Sequence, residues 1–355
     1  MKNPITILNN IQLGKPNNLL VLHHDGYTLE GAVVHAGLMD QEVQASGASR
    51  ALDWVTAVGE VLERIRSAGV KKPPRKAILV SGSALSALLD LPVNPERPRP
   101  PEQMRELVRW ELEPLFAQHH ERWCIGSLLM GRGYLTQQQR AEVMREALAR
   151  NAASNNRLTV RFGEVAQNLG HVKRAHIDEG LALQEKLVQL DDEVFCGWAA
   201  QRMPEDFEID DEAPRYPWLA SGIGDGLRRQ WVKACQRNKL YLTAIYPALG
   251  CGFGTLEHTE NREELYIDVH QEQVAVLRGL PGALRAYRVE NTHDGAPAPE
   301  QIAGLCQEEL RPDIGRVLLN APPATFETLA PLLAERLDRS VVNPVEAHGP
   351  QDKAA

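Results

Sequence analysis

Apolar residues fall in short runs separated by polar turns, and between the runs they recur at helical spacing. Residues 19–22 (LLVL) are the first run. His23-His24-Asp25-Gly26 is a polar turn, and residues 30–35 (EGAVVH) return, which predicts a β-hairpin. Leu52, Val55, Val58, Leu62 and Ile65 then repeat every three or four positions, as one face of a helix over residues 51–65 does. Residues 77–80 (AILV) read as a buried strand ending at Ser81-Gly82-Ser83. A comparable order returns late in the chain. A strand at 218–220, a helix at 227–236 and a strand at 240–245 precede a hairpin over 265–277, whose first strand reaches Asp268. A third strand at 285–289, a helix at 300–310, a strand at 317–320, a helix at 326–337 and a strand at 340–342 complete it. Two hairpin-led alternations of strand and helix predict an α/β fold of two halves.

The middle of the chain breaks this order. Residues 91–101 (LPVNPERPRPP) hold five prolines and form an extended connection. A helix over 102–112 buries Met104, Leu107, Val108 and Leu112 on one face, and Pro114 is expected to limit it. A repeat with an offset of 37 residues follows. Gly126 and Gly133 match Gly163 and Gly170, Ile125 matches Phe162, Leu128 matches Val165, and Leu135 matches Val172. Each copy reads as a short apolar helix stopped by glycine, then a second helix. Residues 117–203 are therefore expected to be a small helical tandem-repeat module inserted between two parts of one body, 1–116 and 204–345. The acidic, proline-flanked residues 203–217 serve as the exit linker, and residues 346–355 as a polar disordered tail.

Composition narrows the function. The chain has 355 residues and a net charge of −8, so it is ill suited to general nucleic-acid binding, which needs clustered cations. Its five cysteines are scattered without a C-x-x-C pair, which predicts reduced thiols in the cytoplasm. The first residues are too polar for a signal peptide, and no apolar run is long enough to span a bilayer. His23-His24 has no third metal ligand at motif spacing, so no metal site is expected.

Three stretches resemble the PilM and GspL group of type IV pilus and type II secretion proteins. They are residues 77–116 with their "LP" segment and acidic helix end, residues 239–248 (KLYLTAIYPA), and residues 265–345. The resemblance implies an actin-like (ribonuclease-H-like) two-lobed fold interrupted by the helical insertion. In that superfamily ATP lies between two Asp-x-Gly-x-x-x-Thr hairpins, whose glycines admit the phosphates and whose aspartates organise magnesium. Here the candidate nucleotide residues are Asp25, Gly26 and Asp268. No register keeps both Asp and Gly at the first hairpin, and Val274 stands at the Thr place of the second. Asn320-Ala321-Pro322-Pro323 replaces the Gly-Gly turn against the adenosine. The resemblance then implies a pseudo-ATPase without catalytic residues or a required cofactor. Its role would be a cytoplasmic scaffold linking the motor ATPase to inner-membrane assembly proteins, peripheral at the inner membrane through those partners only.

The inserted repeat resembles the MshEN-type N-terminal domains of secretion and pilus ATPases, some of which bind cyclic di-GMP. Arg161, Phe162 and Gly163 match the opening of that motif, Ile177 and Leu181 its apolar pair, and Gln184 its closing Gln. The first copy departs from it: Cys124 stands at the Arg place, Arg140 at an apolar place and Ala147 at the Gln place. Two readings stand side by side. The repeat is a packing module, or the chain is a nucleotide-responsive regulator with ATP at the degenerate hairpins or cyclic di-GMP at the second copy. A helix-turn-helix rhythm over 162–181 has only Lys173 and Arg174 to meet phosphate.

Overall fold

The computed structural model describes residues 18–36, 41–153, 160–188, 193–203, 212–253, 263–270, 272–280, 282–292, 297–314 and 316–344. The expected disordered tail and most of the acidic linker lie outside them.

The first lobe opens with β1 (Asn18–His24), β2 (Leu29–Ala36) and β3 (Gln41–Ser49), then α1 (Trp54–Ser67) and β4 (Lys76–Ser81). With β8 (Tyr241–Pro247), far along the chain, they form one sheet in the order β3-β2-β1-β4-β8. The hairpin is antiparallel, and β1, β4 and β8 are parallel. Leu20 and Leu22 of β1 point to the side on which α1 lays Val58, Val61, Leu62 and Ile65, whereas Leu19 and Val21 face the opposite side. This is the period-two alternation of a strand meeting the 3.6-residue stripe of a helix. Asp53 caps α1, its carboxylate accepting the Thr56 N–H at 2.9 Å.

The second lobe repeats the plan. Strands β9 (Glu264–His270), β10 (Gln273–Leu280), β11 (Ala283–Asn291), β12 (Arg316–Asn320) and β13 (Ser340–Val342) take the order β11-β10-β9-β12-β13. Helices α8 (Pro299–Glu309) and α9 (Pro323–Leu337) bury Ile302, Cys306, Leu329 and Leu333 against one of its faces. The fold is thus α/β, with two five-stranded sheets of the same strand order.

Between β4 and β8 the chain builds more than helices. A three-stranded antiparallel sheet has the order β5-β7-β6, from β5 (Leu85–Leu91), β6 (Val194–Ala200) and β7 (Tyr216–Gly224). It is covered by α2 (Pro101–His120), and α7 (Asp225–Arg237) then leads into β8. The expectation of a helical module over all of 117–203 is corrected at its end, where Val194–Ala200 is a strand. Val194 and Cys196 pack with Leu112 and Phe116 of α2, and this side-chain burial decides the conformation of a segment with little pattern of its own. The expectation that Pro114 limits the preceding helix is also corrected. α2 runs through it to His120 because Phe116 and His119 continue the buried stripe of Met104, Val108 and Leu112. Pro114 and Trp110, the residue whose carbonyl loses its helical partner, are both exposed, so the missing bond falls on the solvent side of the helix and not in the core.

The repeat is visible in three dimensions. A 3₁₀ turn (Glu121–Trp123) leads to α3 (Ile125–Gly131) and α4 (Gln137–Ala153), and the second copy forms α5 (Phe162–Asn168) and α6 (Arg174–Leu187). The two short helices end alike. Gly133 and Gly170 have φ of +78° and +75°, and their N–H groups donate to Met130 and Gln167. The copies pack crosswise, α3 on α6 and α5 on α4.

Candidate functional site

The turns of the two leading hairpins meet between the lobes, and there the chain meets itself. At the first turn the Asp25 carboxylate accepts the N–H groups of Tyr27 and Thr28, each at 2.8 Å. Gly26 has φ of +101°, a conformation suited to glycine. The space in front of Gly26 is occupied by the indole of Trp123, so close that an added Cβ would lie 2.1 Å from Cη2. Trp123 is fully buried, edge-on to Tyr27, with the Arg122 guanidinium 4.2 Å from its ring centroid.

The second turn is bound by the same segment. Arg122 donates to the side chain of Gln273 and, at 3.2 Å, to the carbonyl of Gly82 beside the first turn. Arg140 of α4 reaches Glu272 at 3.1 Å, and the Tyr27 hydroxyl faces the other oxygen of Glu272 at 3.5 Å. The ring nitrogens of His119 meet the Gly82 carbonyl at 3.1 Å and the Gln273 side-chain amide at 3.3 Å. Burial dominates the electrostatics. It pushes Glu272 up, against the pull of the Ser127 hydrogen bond, Arg140 and Arg122. It pushes Tyr27 up and Arg122 down. It also holds His119 well below the usual imidazole range, with Arg122 and His120 adding to the effect. Removing one partner of a buried pair such as Arg140–Glu272 strands the other charge, at a cost of about 3–5 kcal/mol.

Asp268 lies at the end of β9 with 0% exposure. Its carboxylate accepts the Gly250 N–H at 2.6 Å and the Asn320 amide at 2.9 Å, and lies 3.2 Å from His270 Nε2. Asn320 faces Asp268 by strand register, which explains its place ahead of the two prolines that open α9. Asp25, Gly26 and Asp268 thus do occupy the two hairpins, but the turn residues are engaged by protein groups. Sequence reasoning missed Trp123, Arg122, Tyr27, Glu272 and Gln273. One signal was present: Arg140 at an apolar position of the repeat, which the structure explains by its reach to Glu272.

The cyclic di-GMP candidates are placed as follows. Arg161 precedes α5 and is exposed, making no side-chain capping bond. Phe162 packs at Gly126, and Gly163 packs on the buried Ile177. Leu181 is half exposed. Gln184 donates to the Trp123 carbonyl at 2.7 Å and so anchors the residue that fills the first hairpin. His23 lies 4.0 Å from Glu30, while His24 is buried edge-on between Trp54 and Trp231. Adjacent strand residues face opposite sides, so the pair cannot chelate. Among the described residues no cluster of three metal-binding side chains exists, and no helix is long and apolar enough to cross a membrane.

A second concave feature lies along β8, an edge strand of the first sheet. A groove of about 270 Å³ runs between β8, α7 and the β6–β7 pair, lined by Phe195, Ile223, Val232, Leu242 and Ile245. Arg228 borders it, 4.5 Å from the Phe195 ring centroid and held by Asp225 at 2.6 Å.

No family model and no curated protein matches the chain. Among solved structures it is similar to a chain of a PilM–PilN type IV pilus biogenesis complex, with a TM-score of 0.51 and 12% identity over 94% of this chain and 90% of that one. A Bacteroides thetaiotaomicron protein with an actin-like ATPase fold and unknown function gives 0.43 and 9% identity, over 94% and 95%. A chain of an AlfA filament bound to AMPPNP gives 0.25 and 11%, over 44% and 81%. At 12% identity the likeness is one of fold, and the chain has the actin-like fold: two lobes of the same strand order, with their leading hairpins turned toward each other.

Proposed function

We propose that the protein is a non-hydrolysing, actin-like scaffold of a type IV pilus or type II secretion apparatus. It links the motor ATPase to inner-membrane assembly proteins from the cytoplasmic side. The observation that carries the reading is the indole of Trp123 against Gly26, with Arg122 and Arg140 bonded to the second turn. In a nucleotide-holding relative, bound phosphate and metal would bridge the hairpins. Here buried side chains of the same chain bridge them, and Asp268 is occupied by protein donors. The fold similarity to PilM in complex with PilN supports the choice of apparatus. The groove along β8 is the docking site: an edge strand offers unpaired backbone groups to an extended segment, and its apolar walls take alternate side chains.

Two measurements test this. Titration calorimetry with magnesium ATP is expected to give no binding heat, and micromolar affinity overturns the pseudo-ATPase part. A pull-down from native membranes is expected to recover inner-membrane assembly proteins. The variant Phe195→Glu, which puts a charge on an exposed wall of the groove, is expected to lose them while keeping the wild-type melting temperature. Recovery of no assembly component by the wild type overturns the scaffold part.

A further inference from the structure

The acidic chain carries a cationic end. α1 stops at Ser67 and β4 begins at Lys76, while α7 stops at Arg237 and β8 begins at Tyr241. Lys76 pairs with Tyr241 across the parallel strands, and the Tyr241 N–H donates to the Arg75 carbonyl at 2.7 Å. Both connections therefore meet at one end of the first sheet, the end away from the hairpin turns. Residues 64–76 bring six cations there and residues 233–241 three more, with no Asp or Glu in either segment. All nine are exposed, and among the described residues none is ion-paired. The nearest acid in the chain is Glu63. Arg64, Arg66 and Arg237 stand in the last turns of their helices, where they complement the helix dipoles. Lys71, Lys72, Arg75, Lys76 and Lys239 lie beyond the helices and have no such role.

We propose that this end is a contact surface for an anionic lipid bilayer. A cluster of this size attracts an anionic leaflet electrostatically. Among the cations Tyr241 is 66% exposed, an aromatic of the kind that seats at the headgroup level. The location also fits: Tyr241 begins β8, and the groove continues from it along Leu242 to Pro247. A segment emerging from the membrane would enter the groove from its cationic end. Single-stranded nucleic acid is disfavoured because it calls for a series of stacking aromatics, and Tyr241 is the one aromatic in these two segments. The inference rests on the scaffold reading for the membrane's identity, and it adds direct lipid contact to attachment through partners.

The test is co-sedimentation of the full chain with vesicles of equal phosphatidylglycerol and phosphatidylcholine, against phosphatidylcholine alone. The wild type is expected to bind the anionic vesicles alone and to be released by high salt. Lys72→Glu/Arg75→Glu should weaken binding at least tenfold. Arg145→Glu/Lys173→Glu, the same charge change made on exposed residues of the helical repeat, should weaken it much less. Absence of binding at low salt, equal binding to neutral vesicles, or equal loss in the two variants overturns the proposal. So does binding of single-stranded nucleic acid in place of vesicles. Circular dichroism melts confirm that both variants fold. Membrane pull-down through the groove is read separately. If the wild type recovers assembly proteins but does not bind anionic vesicles, the lipid contact alone is refuted; if it binds the vesicles but recovers no assembly protein, the scaffold reading alone is refuted.

Discussion

The filling of the first hairpin by Trp123 is open to a double-mutant cycle. Trp123 is fully buried and its indole N–H has no hydrogen-bond partner, so Trp123→Ala loses packing and no hydrogen bond. Large-to-small changes of this kind cost about 3–5 kcal/mol. Gly26→Ala meets two penalties. Its φ of +101° strains any L-residue, by roughly 1–2 kcal/mol. Its new methyl would also lie 2.1 and 2.2 Å from ring atoms of Trp123, forcing the ring to move, at a further cost of about 1–3 kcal/mol. In the Trp123→Ala background the second penalty vanishes and the first remains. The two substitutions should therefore couple by about 1–3 kcal/mol, with the double variant more stable than the sum of the singles predicts. Urea unfolding followed by circular dichroism gives all four corners of the cycle. Additivity within about 0.5 kcal/mol, the behaviour of independent sites, would refute the placement of the indole on the glycine.

Three further expectations concern acid stability and the repeat. Burial lowers His24 from 6.5 to about 4, opposed by Asp25 and aided by His23 and Arg132. A depressed histidine favours the folded state above its unfolded value, and that advantage is lost as pH falls from about 6.5 through about 4. It amounts to roughly 3 kcal/mol, so His24→Phe should flatten this part of the stability–pH curve, and an unchanged slope would show that His24 is not its source. Arg161→Ala should leave the melting temperature unchanged, since Arg161 is exposed and caps nothing. Calorimetry should detect no cyclic di-GMP binding by the wild type, because Gln184 is spent on the Trp123 carbonyl. Binding that Arg161→Ala weakens tenfold would reverse that reading.

Much of the architecture was legible in the sequence, because local pattern and burial agree there. The runs that became β1, β4, β9, β10 and β12 are apolar, and α1, α8 and α9 carry stripes that match their buried faces. The repeat was legible because a glycine that ends a helix is a local requirement, met at Gly133 and again at Gly170. Strands such as β3 and β6 were not legible. β3 (QEVQASGAS) is polar and is held by pairing with β2, and β6 is held by β7 and α2. Pro114 pointed to a helix end that the packing of Phe116 and His119 overrode. The degenerate hairpins were equally visible as lost motifs at Asp25, Gly26 and Asp268. Only the tertiary structure decided what took their place. Trp123 lies 97 residues beyond Gly26, and Arg140 lies 132 residues before Glu272. Contacts so distant along the chain leave no periodic trace, because they depend on how lobes and repeat dock together and not on the conformational preference of any one segment.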